Sequence, residues 1–191
     1  SSACSVNATT GAVTILTAGS CVITATKAAD TNYLVGSNTV TITIAKAAQA
    51  TLTASKSGDT TYGSATVVTV STAGGSGTGA ISFASTTTGV CTVNASTGVI
   101  TIVTAGSCVI TVTKAADTNY NSVSDTVTVT IAKASQAAIT ANATRTSATY
   151  GDGVTTTASL SGGSGTGSTT FSTSSSACSV NATTGAVTIL T

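Results

Sequence analysis

The five cysteines offer the most chemistry in this sequence, and their spacing is regular. Cys4 and Cys21 lie 17 residues apart, as do Cys91 and Cys108, while Cys178 stands alone. Thiols on consecutive hairpin-like strands can oxidise to disulfides. Closing a loop of this size contributes about 3 kcal/mol in the chain-entropy model. The expected pairs are Cys4–Cys21 and Cys91–Cys108. The alternative is buried free thiols in a reducing compartment. Cys178 expects its partner 17 residues on, past residue 191, so the odd count need not mark a reactive thiol.

Little else in the sequence could drive a reaction. There is no His, Pro, Met, Trp or Glu, and all five acids are Asp. Without imidazole, proton transfer near neutral pH lacks its usual agent. Serine nucleophiles lack a base at a suggestive spacing. The expectation is a non-enzyme with no cofactor and no metal. Asp30 with Asn32, and Asp117 with Asn119, could offer oxygens to calcium. Calcium takes six to eight ligands with several carboxylates, so Asx turns are the favoured role. Lys27 and Lys114 sit three residues before those aspartates and could pair with them. An isopeptide crosslink needs a buried acid, and none is foreseen. Asn7, Asn94, Asn142 and Asn181 each open Asn-Ala-Thr or Asn-Ala-Ser, which fits an N-glycan acceptor. In three of them the same residues supply a turn before Gly, and that reading is preferred. Sugar on the many Ser and Thr, about 38% of the chain, is a further option. GGSGTG at Gly74 and Gly162 lacks the following helix and Lys of a phosphate cradle, and reads as an inter-strand loop.

Composition narrows the remaining classes. Charged residues are 6% of the chain and the net charge is +1. Six scattered Lys and Arg make no nucleic-acid-binding patch. No apolar run reaches the roughly 18 residues of a membrane span. Apolar residues are 41%, which argues against disorder. No signal peptide is visible, since Ser1 opens in mid-pattern.

The elements that hold these residues recur. Cys4, Cys91 and Cys178 are separated by steps of 87, and so are Tyr33 and Tyr120. SCVITATKAADTNY from Ser20 returns as SCVITVTKAADTNY from Ser107. Tyr62-Gly63 and the first GGSGTG return at a step of 88. SSACSVNATTGAVTILT opens the chain and recurs unchanged from Ser175, a step of 174 over 17 residues. The pattern is an alternating A-B-A-B array of 87-residue units, cut inside a unit. Apolar residues alternate with Thr and Ser at the period of half-buried strands. Cys21, Ile23 and Ala25 form one stripe, Val40, Ile42 and Ile44 another, and Val127, Val129 and Ile131 its copy. Asn-Ala-Thr-Thr-Gly, Ala-Gly-Ser and Asp-Thr-Asn supply turns. The expected fold is all-β, an antiparallel sandwich of short strands. Boundaries are placed near Lys46 and Lys133. Residues 1–46 are then the C-terminal half of one unit, 47–133 a whole unit, and 134–191 the N-terminal part of the next.

The motifs resemble the tandem bacterial immunoglobulin-like repeats of very large surface and secreted proteins. The matching residues are Lys46 to Gln49, Thr61 to Gly63, Gly74 to Gly79, Phe83, Cys91 to Val93, Gly98, Ala105 to Asp117, and Asn119 to Tyr120. The chain departs from the pattern in having no Pro and little charge. The resemblance implies immunoglobulin-like β-sandwich units of about 87 residues at an extracellular or cell-surface location. It implies a structural role as the shaft of a fibre, stalk or sheath. The partners would be other copies of the repeat, head-to-tail and laterally, with glycans as a further option. The alternative is an adhesin repeat that binds glycan or a host surface.

Overall fold

The structure is a computed structural model, and it describes residues 2–151 and 153–190. Every regular element among them is a strand. The chain forms two compact units, Ser1–Lys133 and Ala134–Thr191. The local cause is composition: Thr, Val and Ile are branched at Cβ, which favours the pleated backbone over helix.

The first unit opens with β1 (Cys4–Val6) and β2 (Val13–Ile15), an antiparallel hairpin. β3 (Gly19–Lys27) and β4 (Gly36–Ile44) then pair over nine rungs, from Gly19 opposite Ile44 to Lys27 opposite Gly36. β5 (Leu52–Lys56) follows, then the short β6 (Thr60–Thr61) and β7 (Val70–Gly74), which pairs with β5. β8 (Ile81–Ser85), β9 (Cys91–Val93), β10 (Ile100–Ile102), β11 (Gly106–Lys114) and β12 (Val123–Ala132) complete the unit.

One sheet has the order β6-β12-β11-β8, with β6 parallel to the end of β12 and the other pairs antiparallel. A second layer forms from β5, β7, β10 and β9. There the Val70 amide donates to the Gly98 carbonyl at 2.9 Å, and the Ile100 amide to the Val68 carbonyl at 3.0 Å. Side chains from both layers share one core. Leu52, Val70 and Ile100 come from the second layer, and Phe83, Ile110, Val112, Val129 and Ile131 from the first sheet. The two-residue period is visible along β12, where Val127, Val129 and Ile131 point inward and the Thr residues between them face solvent. The strand expected at Thr51–Ala54 is present as β5.

The second unit contains β13 (Ile139–Ala143), β14 (Thr156–Gly162), β15 (Cys178–Val180) and β16 (Ala186–Ile189), in the order β13-β14-β16-β15. Cys178 faces Ile189 and Val180 faces Val187, the register of Cys4 with Ile15 and Val6 with Val13. No described apolar residue beyond Ile131 is buried.

Candidate functional site

Two disulfides are present, Cys4–Cys21 and Cys91–Cys108, each with Cα atoms 5.6 Å apart. The first ties β1 to β3. The second ties β9 to β11, and so links the two layers through the core. Cys21, Cys91 and Cys108 are fully buried. Cys178, on β15, is a half-buried free thiol 3.7 Å from the Thr173 hydroxyl. Two intramolecular disulfides fit an oxidising, extracellular-type environment.

The asparagines of the Asn-Ala-Thr segments are turn formers. Asn7 Oδ1 accepts from the amides of Thr9 and Thr10, both at 2.9 Å. Asn94 accepts from Ser96 and Thr97, and Asn181 from Thr183 and Thr184. Each side chain thereby closes an Asx turn and leads the chain into its next strand. The fourth segment differs: Asn142 lies within β13, and its Nδ2 donates to the Ser161 hydroxyl at 3.0 Å.

The aspartates do structural work of the same kind. Asp30 Oδ1 accepts from the amides of Asn32 and Tyr33. Asp117 Oδ1 does so from Asn119 at 2.8 Å and Tyr120 at 2.9 Å, while its Oδ2 accepts from the Thr78 amide at 2.6 Å. The Thr78 amide, then those of Asn119 and Tyr120, hold the Asp117 carboxyl below the usual carboxylate range. Asp125 Oδ2 accepts from the Ala54 amide at 2.8 Å, which lowers its pKa in the same way. Asp59 pairs with Lys56 and accepts from the Thr130 amide; the Lys56 bond is the larger cause of its lowered pKa. Among the described residues this is the ion pair the structure holds, so Lys27 and Lys114 do not pair with Asp30 and Asp117. No group of three or more metal-ligating side chains occurs among the described residues.

The Gly-rich loop is packed against Asp117. A Cβ on Gly77 would run into the Asp117 carboxylate and the Tyr120 ring, and one on Gly79 into the Ala115 carbonyl. Gln49 spans the same place: its Oε1 accepts from the Ser76 amide at 3.0 Å and its Nε2 donates to the Ala115 carbonyl at 3.1 Å. GGSGTG is therefore a fitted contact, held by the Lys-Ala-Ala-Gln segment on one side and the Asp-Thr-Asn-Tyr loop on the other. Of the four tyrosines only Tyr120 takes part. Tyr33 and Tyr150 are each 74% exposed and Tyr62 is 50% exposed.

The same loop reaches across Lys46. Asn119 Oδ1 accepts from the Ala18 amide at 2.8 Å, a bond spanning 101 residues. The Asn119 carbonyl accepts from the Ala47 amide at 2.8 Å, and the Asn121 amide donates to the Ala47 carbonyl at 2.9 Å. Loop 117–121 thus binds the Ala-Gly-Ser turn before Lys46 and the backbone just after it. Sequence reasoning placed Asn119 in a turn but missed this contact. The signal available was the recurrence of both motifs, Ala-Gly-Ser and Asp-Thr-Asn-Tyr, at the same step of 87. No family model, curated protein or solved structure matches the chain.

Proposed function

We propose that this chain is a structural repeat module from the shaft of an extracellular fibre, stalk or sheath on a bacterial surface. Its units are read as immunoglobulin-like sandwiches of about 87 residues, stapled by one disulfide each. The observation that carries this reading is loop 117–121, bonded on both sides of Lys46. A tandem array transmits load and keeps its shape only if its joints are stiff. Here a near-absent linker is reinforced by a directed hydrogen bond to the preceding turn. The bacterial and surface elements of the proposal come from the sequence resemblance, and the disulfides fit an oxidising location.

The test is imaging of an array containing several of the 174-residue periods. Straight rods with an axial step of about 35–45 Å per unit are expected, from strand lengths plus loops. Particles that bend freely at every Lys46-type joint would sink the proposal.

A further inference from the structure

We infer that Asn94, with its copies Asn7 and Asn181, is an acceptor for N-linked saccharide, attached at the turn of the same hairpin in each repeat. This goes beyond the structural-repeat reading and does not depend on it. Asn7-Ala8-Thr9, Asn94-Ala95-Ser96 and Asn181-Ala182-Thr183 stand at steps of 87. Each satisfies the Asn-X-Ser/Thr pattern that N-glycosylating enzymes read. The turn and the acceptor use different atoms of one carboxamide. In each turn two backbone amides hold the Oδ1, which also fixes which end of the carboxamide is oxygen. Sugar attaches at the other end, the Nδ2. Among the described residues none of the three Nδ2 atoms donates to a protein acceptor.

The hydroxyl that the pattern requires, two residues on, is uncommitted as well. The turn uses the hydroxyl one residue later instead. Thr97 accepts from the Val99 amide at 3.5 Å, Thr10 from Ala12 at 3.3 Å and Thr184 from Ala186 at 3.3 Å. Asn94 to Thr97 are all exposed, as are Asn7 to Thr10 and Asn181 to Thr184. The turn at Asn94 is also anchored, since the Phe83 amide donates to the Ala95 carbonyl at 3.0 Å. The fourth tripeptide, Asn142-Ala143-Thr144, supplies the contrast. Its Nδ2 donates to the Thr140 carbonyl at 3.1 Å and to the Ser161 hydroxyl at 3.0 Å. Its Thr144 hydroxyl accepts from the Thr157 amide at 3.0 Å. While β13 is paired with β14, this copy of the pattern presents neither group.

The transfer needs an activated saccharide, joined through its anomeric carbon to a diphosphate carrier. Asn94 Nδ2 bonds to that carbon, the carbon's bond to the diphosphate oxygen breaks, and the Nδ2 proton and the carrier diphosphate leave. On a surface with only 6% charged residues, the attached group adds hydration and bulk at a recurring turn.

The experiment presents the folded, oxidised 191-residue polypeptide to an oligosaccharyltransferase that requires only Asn-X-Ser/Thr, with a lipid diphosphate-linked oligosaccharide as donor. Digestion and mass spectrometry follow the occupancy of each asparagine over time. Asn7, Asn94 and Asn181 should be modified, and Asn142 at about a tenth of the Asn94 rate or less, because its strand must open first. The reduced, denatured chain should accept sugar at all four. Ser96→Ala keeps the backbone amide that Asn94 binds and removes only the hydroxyl. It should abolish modification at Asn94 alone, with an unchanged circular dichroism spectrum. Any of four results overturns the inference: Asn94 bare in the folded chain, Asn142 keeping pace with Asn94 there, Asn142 still refused after denaturation, or Asn94 still modified in Ser96→Ala. Rod images of a tandem array are unaffected by any of these results.

Discussion

At the residue scale, short polar side chains carry the structure by accepting backbone hydrogens. Asp117 accepts three at once, and its carboxyl lies below the usual range because those amides favour the charged form. Asp59 and Asp125 are lowered as well. The native carboxylates therefore hold a proton less tightly than the unfolded ones. Their contribution is complete above the unfolded value near pH 4 and is lost as pH falls through the lower native values. Urea midpoints should hold steady from pH 7 to about 5 and drop below pH 4. Asp117→Asn should flatten part of that drop; an unchanged profile would remove Asp117 from this account. Asn119 has a different task, since its oxygen protects an amide 101 residues away. Asn119→Ala should speed hydrogen exchange at Ala18 by tenfold or more and leave Cys108 unaltered. Asn119→Asp, which keeps the acceptor, should restore protection.

At the element scale, the strands and the disulfides were legible because their causes are local. Val127, Val129 and Ile131 alternate with Thr, and that alternation fixes which face of β12 turns inward. The 17-residue cysteine spacing gave both pairs, because consecutive strands bring such positions together. The turns at Asn7, Asn94 and Asn181 were legible for the same reason, each being closed by its own side chain. The pairing of β6 with β12, the bond from Ala54 to Asp125 and the Gln49 bridge were not. Each joins positions 66 or more residues apart, and no local pattern specifies the partner. The elements also differ in how much they bury. Ile110 on β11 is fully buried, whereas its copy Ile23 on β3 is only partly so. Ile110→Ala should cost about 2–5 kcal/mol in chemical denaturation, and Ile23→Ala clearly less in dilute solution. Equal losses would show that the two strands are covered to the same degree. Replacing Cys91 and Cys108 together by Ala should cost about 3 kcal/mol, measured against the oxidised chain.

At the scale of the whole molecule, stability is unevenly distributed. The buried apolar side chains run from Ala3 to Ile131, and most lie in the one cluster between Leu52 and Ile131. The four strands of the second unit have hydrogen-bonded ladders but no buried apolar side chain among the described residues. Backbone pairing without burial gives little protection against local opening. Amides of β13–β16 should therefore exchange much faster than those of β11 and β12 in dilute solution. Uniform protection across both units would contradict the lopsided core. The overall composition also takes on meaning here. With only 6% charged residues, little electrostatic repulsion keeps copies apart.

The hairpins β1–β2 and β15–β16 have a consequence in time. Cys4–Val6 with Val13–Ile15, and Cys178–Val180 with Val187–Ile189, take the same register around the same Asn-closed turn, although Cys4 is bonded and Cys178 is free. Their conformation is written in a stretch short enough to be sampled in about 1–10 μs. As a chain emerges end first, such a hairpin closes on its nearest neighbour before a more distant look-alike strand exists to compete. In a polypeptide made of near-identical copies, that head start keeps each unit from pairing with the wrong one.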